Sequence, residues 1–338
     1  MFTHLTLTNF TAFEHLEMEF SKGVNAFVGA NGTGKTHILK LLYCLQMSGT
    51  MTGDLSRKFY TVFRTKTVDH KGLIRNSTDR AEAEATAIWD DCLVKVSFRA
   101  GTANRSLQNT HHGESITISD VFGVPAYLPV KEMLSFAPGF ISLYDKYNLS
   151  FDEVYYDILK LAYLPPVKNL DPAFRDISLY IQGIIGGEVI VEGETFYLYQ
   201  NSISMEFSLV SEGFRKLALV WQLIRNGSLC KETTLYWDEP EANLNPSMMQ
   251  HVAKILLMLA RQGVQIFLAT HDYALLKELD YQKEQTPVTY FALDDSGKNG
   301  VQVNACSEYI QVYPNKIAEE NQRLYDMEIR KSLAGNPR

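Results

Sequence analysis

The sequence predicts an α/β fold with a mixed sheet, in which N-terminal antiparallel strands accompany parallel central strands, and three observations support this prediction. A glycine-rich run, GANGTGKT at residues 29–36, lies between a strand pattern at 25–28 and a helical pattern at 37–43. Apolar and polar residues alternate near the N-terminus, and strand patterns alternate with helical ones between residues 233 and 270. Strand–helix–strand order favours parallel strands, whose ligands bind beyond the carboxyl ends of the strands.

The composition is that of a globular protein without a strongly basic surface. The 338 residues are 46% hydrophobic and 21% charged, which allows one large domain or two smaller ones. The net charge of −7 does not support nucleic-acid binding, which would need a local basic groove. The four cysteines form no C-x-x-C pair, and neither a leader pattern nor a long apolar helix is present. We therefore predict a cytoplasmic protein without a zinc site or a membrane span.

The N-terminal residues are expected to form two half-buried antiparallel strands before the glycine-rich run. Leu5 and Leu7 alternate with polar neighbours, and Leu16 and Met18 do the same. The order that follows is strand, glycine loop and helix, because apolar residues return at helical spacing after Thr36.

Residues 47–186 are predicted to be a largely helical insertion between two halves of a discontinuous core, 1–46 and 187–338. Residues 140–164 have a helical pattern, whereas periodicity is weak from residue 47 to residue 120. Within this weak region the basic residues outnumber the acidic ones, with Arg57, Lys58, Arg64, Lys66, Lys71, Arg75 and Arg80 against Asp69 and Asp79. A solvated connector is the favoured interpretation of this charge run, and a contact with a partner or a nucleic acid is the alternative.

The second half of the core is expected to alternate strands with helices. Strand patterns lie at residues 188–209, 233–237, 264–269 and 288–303, and a polar helical tail follows. Before the helix that precedes residue 264, Asn245 is typical of an N-cap and Pro246 of a first helical residue. Gly263 indicates the end of that helix.

The glycine-rich run has the full spacing of a phosphate-binding loop, Gly29-x4-Gly34-Lys35-Thr36. Its glycines let backbone N–H groups turn toward a β-phosphate, Lys35 reaches the β- and γ-phosphate oxygens, and the Thr36 hydroxyl ligates Mg²⁺. The predicted cofactors are therefore ATP and Mg²⁺, and a glycine-rich turn without a nucleotide is the alternative. The residues expected to contact the nucleotide are Gly29, Ala30, Asn31, Gly32, Thr33, Gly34, Lys35 and Thr36.

Two acidic residues follow the predicted strand at 233–237 and supply the second half of the expected chemistry. Asp238 could hold Mg²⁺ through water, and Glu239 could orient or deprotonate an attacking water. This pairing favours a hydrolase over a protein that only binds a nucleotide.

Taken in chain order, the motifs resemble those of an ABC-type P-loop ATPase. They are Walker A at 29–36, Ser211-Glu212-Gly213 before a helix, Walker B at 235–239, and His271 after a later strand. The closer similarity is to the RecF/SMC/OLD branch, because residues 7–13 are similar to its first strand and turn. Residues 239–246 are similar to the EPE-x-x-L-x-P run of stand-alone OLD-like ATPases.

The resemblance implies further site residues and a dimer. Ser211 and Gly213 would contact the γ-phosphate of ATP on the other subunit, and His271 would sense the γ-phosphate beside Glu239. A plain helix N-cap would explain Ser211 equally well, and a lone histidine at a strand end is ordinarily a loop residue. Lys35, Glu239 and His271 are the expected catalytic residues, and Thr36 and Asp238 the expected metal ligands.

The resemblance also implies a function. We expect an ATP-hydrolysing switch, a homodimer or higher oligomer, that controls a separate effector such as a nuclease in bacterial anti-phage defence. A RecF-like ATPase that binds DNA in repair or recombination is the alternative. The nucleotide-binding subunit of a transporter fits less well, because of the insertion and the Glu-Pro-Glu run at 239–241.

Overall fold

The computed structural model describes residues 1–50, 55–65, 70–75, 81–99, 102–109, 123–147, 149–295 and 300–334. The strands are β1 (Phe2–Phe10), β2 (Phe13–Glu19), β3 (Val24–Gly29), β4 (Ala83–Trp89), β5 (Cys92–Arg99), β6 (Thr102–Asn109), β7 (Ala126–Leu128), β8 (Glu188–Glu192), β9 (Thr195–Gln200), β10 (Ile203–Glu206), β11 (Thr234–Asp238), β12 (Gln265–Thr270), β13 (Val288–Asp295) and β14 (Val301–Cys306). The helices are α1 (Lys35–Thr50), α2 (Leu55–Phe63), α3 (Phe140–Tyr147), α4 (Glu153–Ala162), α5 (Pro172–Ile185), α6 (Glu212–Arg225), α7 (Met249–Arg261), α8 (Tyr273–Gln282) and α9 (Lys316–Ala334). Within these ranges, no helix has the length and apolar character needed to cross a bilayer.

The central sheet has the strand order β14-β13-β3-β12-β11-β7, and it confirms the predicted mixed α/β architecture. All of its neighbouring strands pair in parallel except β13 and β14, which form an antiparallel hairpin at one edge. Because β12 pairs with both β3 and β11, the carboxyl ends of these three strands lie side by side. This register brings Gly29, Asp238 and Thr270 to one edge of the sheet.

Two hydrophobic cores cover the two faces of the central sheet. On β3, Val24, Ala26 and Val28 face the core that α5, α6, α7 and α8 complete. Phe27 faces the other core, which contains the apolar side of α1 and the N-terminal strands. The strands of the central sheet are thus buried on both sides, as expected for a parallel sheet covered on each face.

A second sheet, in the order β2-β1-β4-β5-β6, is antiparallel throughout and confirms the predicted N-terminal antiparallel strands. The sequence does not predict strands β4 to β6. These strands and β7 also depart from the largely helical structure that the sequence predicts for this part of the chain. They fall within residues 47–186, together with helices α2 to α5. This range therefore contributes strands to two sheets as well as helices, and its status as a single insertion stays a prediction.

The basic stretch after α1 is partly buried. Lys58 on α2 is 3% exposed and forms ion pairs with Glu153 (3.1 Å) and Asp157 (2.5 Å) of α4. The hydroxyl of Tyr43 on α1 donates to the same Asp157 at 2.6 Å. The interpretation as a solvated connector is therefore wrong for Lys58, which belongs to a buried group of polar contacts between three helices. The residues of the charge run that lie outside the described residues are Lys66, Asp69, Asp79 and Arg80.

Gln265, at the start of β12, joins the central sheet to the N-terminal strand. Its Nε2 donates to the carbonyl oxygens of Phe2 (2.7 Å) and Ser21 (2.9 Å), and its Oε1 accepts from the Phe2 backbone N–H (2.9 Å). The side chain is fully buried, so it replaces the water that these backbone groups would otherwise bind.

Gln265→Leu should therefore destabilise the protein while keeping a side chain of similar size. The buried N–H and carbonyl of Phe2 lose their Gln265 partners, whereas the Ser21 carbonyl keeps Nδ2 of Asn25 at 2.9 Å. Each unsatisfied group costs about 1–3 kcal/mol, so we expect a loss on the order of 3 kcal/mol. Urea unfolding measures this loss, with Gln285→Leu at an exposed position as the control. Equal stability of Gln265→Leu and the control would contradict the bridging role of Gln265.

Candidate active site

The glycine loop begins at Gly29, the last residue of β3, and ends at Thr36 in the first turn of α1. Gly32 and Gly34 have φ values of +85° and +87°, which side chains with a Cβ rarely adopt. A Cβ on Gly34 would also lie 2.7 Å from Cζ of Phe13. The loop thus takes the backbone shape that directs N–H groups toward one point at a helix N-terminus.

Lys35 lies across the mouth of this loop. Its Nζ donates to the carbonyl oxygens of Gly29 (2.8 Å) and Ala30 (2.9 Å), and the residue is 7% exposed. Burial lowers the pKa of Lys35, and the carboxylates of Glu239, Asp238 and Glu241 oppose that change. The ammonium group is therefore held among acidic groups and loop carbonyls, where an anion could pair with it.

Thr36 and Asp238 meet although 202 positions separate them along the chain. The Thr36 hydroxyl donates to Oδ1 of Asp238 at 3.0 Å, and the Tyr127 hydroxyl lies 3.4 Å from Oδ2. Asp238 is 4% exposed, and its burial raises its pKa from 3.8 to about 6 despite these hydrogen bonds. The predicted metal ligands are thus adjacent, and their carboxylate and hydroxyl oxygens are donors that Mg²⁺ prefers.

Glu239 lines the same cleft as the glycine loop. The cleft has a volume of about 310 Å³ and is lined by Ala12, Asn31, Gly32, Gly34, Lys35, Thr36, His37 and Glu239. Glu239 has a φ of +47°, its N–H donates to the Ala269 carbonyl at 2.9 Å, and its carbonyl accepts from Nζ of Lys216 at 3.3 Å. This turn presents the Glu239 carboxylate to the loop.

His271 follows β12 and lies beside Glu239. Its Nδ1 is 3.5 Å from Oε1 of Glu239 and 3.5 Å from Oε1 of Glu241. The side chain is 48% exposed, so about half of its surface is open to solvent. The structure thus brings the loop, Asp238, Glu239 and His271 together, while their catalytic roles stay predictions.

Ser211 and Gly213 do not line this cleft. They lie at the N-terminus of α6, where the Ser211 side chain makes no capping hydrogen bond. A Cβ on Gly213 would lie 2.6 Å from Cδ2 of Leu244 and 2.8 Å from the carbonyl oxygen of Asn243. The N-cap alternative for Ser211 therefore lacks its hydrogen bond, and the glycine is required for close packing against the turn after β11.

The sequence does not indicate a role for three residues of the site. They are Tyr127 beside Asp238, Lys216 beneath Glu239, and Glu241 beside His271. Lys216 is 2% exposed and burial lowers its pKa, with Glu212 and the site carboxylates opposing. A lysine within the apolar stripe of α6 is the sequence signal that could have identified it.

The residues present fit a magnesium-bound triphosphate. No atom of the described residues lies within 4 Å of a Cβ position on Gly32, so the loop is open where it borders the cleft. Among the described residues no group of three or more His, Cys, Asp or Glu side chains could hold a metal by itself. A magnesium ion here would therefore complete its shell with phosphate oxygens and water, as is usual for Mg²⁺.

Comparisons of the sequence with family models give two matches. Residues 111–277 match the family described as "AAA domain, putative AbiEii toxin, Type IV TA system". Residues 1–121 match the family described as "AAA ATPase domain".

Curated relatives include two proteins named "DNA replication and repair protein RecF". The one from Geobacillus thermodenitrificans is 34% identical over 85 residues, which are 25% of this chain and 19% of the relative. The one from Cytophaga hutchinsonii is 49% identical over 57 residues, 17% of this chain and 15% of the relative. The chain thus covers less than a fifth of either relative.

Among solved structures, the chain is similar to SMC heads. A head domain with an extended coiled coil, bound to the C-terminal domain of ScpA derived from Pyrococcus furiosus, has a TM-score of 0.56 at 15% identity, covering 98% of this chain and 99% of that one. An SmcHead bound to the C-winged helix domain of ScpA has a TM-score of 0.59 at 15% identity, covering 91% and 98%. At this identity the similarity concerns the fold.

Replacing Asp238 by Asn should stabilise the nucleotide-free protein in a pH-dependent way. Because the pKa of Asp238 is about 6 in the folded protein and 3.8 ordinarily, the folded state binds the proton more tightly. Below about pH 4 the carboxyl is protonated, so Asp238 does not lower the free energy of unfolding. Above pH 6 the buried charge lowers the free energy of unfolding by about 2–3 kcal/mol, and the isosteric Asn removes this loss.

Urea unfolding in the presence of a chelator at pH 4 and pH 8 measures this difference. Asp238→Asn should match the parent protein at pH 4 and exceed it at pH 8, whereas Asp326→Asn on exposed α9 should match it at both. A variant that is less stable than the parent protein at pH 8 would contradict the burial cost assigned to Asp238.

Proposed function

We propose that the chain is an ABC-type P-loop ATPase of the RecF/SMC branch, and that it hydrolyses ATP as a switch that controls a separate effector protein. ATP with Mg²⁺ is the proposed substrate complex. Two subunits would close around two nucleotides, and hydrolysis would let them separate.

The hydrogen bond between Thr36 and Asp238 is the observation that carries this proposal. It joins the loop suited to phosphates to the strand end that bears Asp238 and Glu239. Glu239 borders the same cleft as Gly34 and Lys35, so a phosphate chain on the loop would have this carboxylate beside it. An ATPase needs these groups at one place, and a plain glycine turn does not.

Each residue has a distinct part in the proposed hydrolysis. The loop N–H groups and Lys35 bind and orient the β- and γ-phosphates. Mg²⁺, held by Thr36 and through water by Asp238, would neutralise charge on the phosphate oxygens. Glu239 accepts a proton from the attacking water, and His271 donates a hydrogen bond to the γ-phosphate.

The placement of Ser211 and Gly213 outside the cleft supports a dimer. A hydroxyl and backbone N–H groups at the N-terminus of α6 suit an anion, yet they do not border the chain's own loop. A second copy could place them against the γ-phosphate bound by the first. ATP would then bind the closed pair better than the separate subunits, which is how a ligand drives such a change.

The effector would act in bacterial anti-phage defence. Support comes from the Glu-Pro-Glu run at residues 239–241, which resembles that of stand-alone OLD-like ATPases. The description of the family matched by residues 111–277 also names a toxin–antitoxin system. The net charge of −7 fits an ATPase that acts on a protein partner more readily than one that acts on DNA.

A RecF-like function in DNA repair or recombination is the second candidate, favoured by the identity to RecF proteins. Hydrolysis that is stimulated by duplex DNA and falls steeply with salt would favour repair. A nuclease that copurifies with the tagged protein, together with no DNA affinity of the ATPase itself, would favour defence. A transporter subunit would instead fractionate with membranes.

Lys35→Ala should weaken ATP binding and reduce hydrolysis to background. The variant loses a charge-assisted hydrogen bond of about 1.5–3 kcal/mol, which corresponds to roughly a tenfold to hundredfold loss of affinity. Calorimetric titration with ATP and a phosphate-release assay measure both effects, with Lys22→Ala at an exposed position as the control. Turnover equal to that of the parent protein would contradict the phosphate-loop assignment.

Glu239→Gln should keep ATP binding and slow hydrolysis by roughly 10²–10⁴, because the amide cannot accept the proton of the attacking water. The variant should accumulate as an ATP-bound dimer in light scattering after gel filtration. Glu19→Gln, at an exposed position on β2, is the control. Normal turnover in Glu239→Gln would remove this carboxylate from the mechanism.

A further inference from the structure

Glu241 is a buried carboxylate that the proposed hydrolysis does not yet use. It lies in the turn after β11, where Ala242 N–H donates to the Glu239 carbonyl (3.1 Å) and Leu244 N–H to the Glu241 carbonyl (3.0 Å). This turn directs the Glu241 side chain toward the carboxyl end of β12. The residue is 9% exposed, so its carboxylate contacts protein and little water.

One oxygen of Glu241 organises the loop that carries His271. Oε1 accepts from the Thr270 hydroxyl (2.8 Å) and from the His271 backbone N–H (3.0 Å). The Thr270 hydroxyl oxygen in turn accepts from the Asp272 backbone N–H at 3.0 Å. Glu241 thereby fixes the backbone from the last residue of β12 to the N-cap of α8.

The same oxygen also faces the imidazole ring. Nδ1 of His271 lies 3.5 Å from Oε1 of Glu241 and 3.5 Å from Oε1 of Glu239. Two carboxylates on one side of the ring favour a proton on Nδ1, because each can only accept when ionised. Nε2 is then the ring nitrogen that does not face these carboxylates.

The second oxygen of Glu241 suggests that this carboxylate has a role beyond packing. Within the described part of the chain, Oε2 is buried and has no hydrogen-bond partner. Burial raises the pKa of Glu241, and the hydrogen bonds from its neighbours oppose that rise. Buried groups left unsatisfied in this way are exceptions, and functional sites are one place where they occur.

We propose that Glu241 is a positioning residue for ATP hydrolysis: it holds His271 with Nδ1–H toward the carboxylates, so that Nε2 faces the γ-phosphate position and takes up a second proton from water when it donates to that phosphate. This inference rests on the proposed ATPase function. Glu239 remains the residue that contacts the attacking water, and Glu241 acts on the reaction through His271. The arrangement parallels the way a carboxylate orients a functional histidine in other enzyme sites.

Glu241→Gln tests the proposal with little change of shape. The amide oxygen can still accept from Thr270 and from the His271 N–H, so the loop should remain folded and the thermal midpoint should be unchanged or higher. The negative charge beside Nδ1 is lost. We expect kcat for ATP to fall about tenfold with KM changed less than threefold, whereas Glu284→Gln, which is exposed, should behave like the parent protein.

A double-mutant cycle with His271→Ala separates positioning from a general structural effect. If Glu241 acts through His271, Glu241→Gln should lower kcat only when the histidine is present, so that the double variant equals His271→Ala. Equal fold losses in both backgrounds would overturn the proposal. Should Glu241→Gln fail to fold, Thr270→Val replaces it in the cycle with the same expectation, because it removes one of the contacts of Oε1.

A nucleotide-free measurement distinguishes this proposal from the proposed function. Long-range ¹H–¹⁵N spectra of histidine-labelled protein report which ring nitrogen of His271 carries the proton. We expect the Nδ1–H form in the parent protein and a shift toward the Nε2–H form in Glu241→Gln. An unchanged tautomer would overturn the effect of Glu241 on His271. This shift in a protein without ATPase activity would instead confirm that effect and contradict the proposed function.

Discussion

The parallel register of β3, β12 and β11 is the constraint on which the site depends. Pairing of β12 with both neighbours brings three strand ends to one edge, although β3 lies early in the chain and β11 late. The hydrogen bond from Thr36 to Asp238 joins α1 to the end of β11 at this edge. Glu239 comes directly after β11, and His271 directly after β12. Slippage of one strand by a single residue would turn its side chains to the other face and separate these groups.

The groups gathered there carry charges that burial makes costly. Lys35, Lys216, Asp238 and Glu241 are all nearly excluded from water, and each has its pKa moved toward the neutral form by that burial. Opposite charges reduce the cost only in part, because the acids and the lysines share few direct contacts. A magnesium-bound triphosphate would supply the missing partners, so the nucleotide-free site holds an electrostatic strain that binding would relieve.

Much of this arrangement could be predicted from the sequence, because its signals are local. The glycine spacing, the helical pattern after Thr36 and the apolar strand before Asp238 each depend on neighbouring residues, and the structure has β3, α1 and β11 where they were expected. Asn245 likewise accepts from the Ser247 N–H, as an N-cap should. The chain order of strands and helices, together with the rule that ligands bind beyond the carboxyl ends of parallel strands, was enough to predict that the glycine loop and the two acidic residues lie close together.

Other parts depend on contacts that no local pattern contains. Strand β4 begins with alanines that alternate with polar residues. Because alanine favours helices, this alternation does not predict a strand. Lys58 belongs to a charge run that suggests solvent exposure, and only the packing of α4 against α2 supplies its acidic partners. The role of Glu241 in fixing the His271 loop likewise depends on tertiary structure, because its Oε1 reaches residues of a different strand end.

A crystal structure of the protein with Mg²⁺ and a non-hydrolysable ATP analogue would show whether the glycine loop and the two acidic residues bind one nucleotide together. We predict phosphates on the loop at residues 29–36, with Lys35 on their oxygens and the metal bound by Thr36 and, through water, Asp238. Glu239 should face the γ-phosphate from the opposite side. A nucleotide bound at another surface, or a metal that contacts neither Thr36 nor the water on Asp238, would contradict the account.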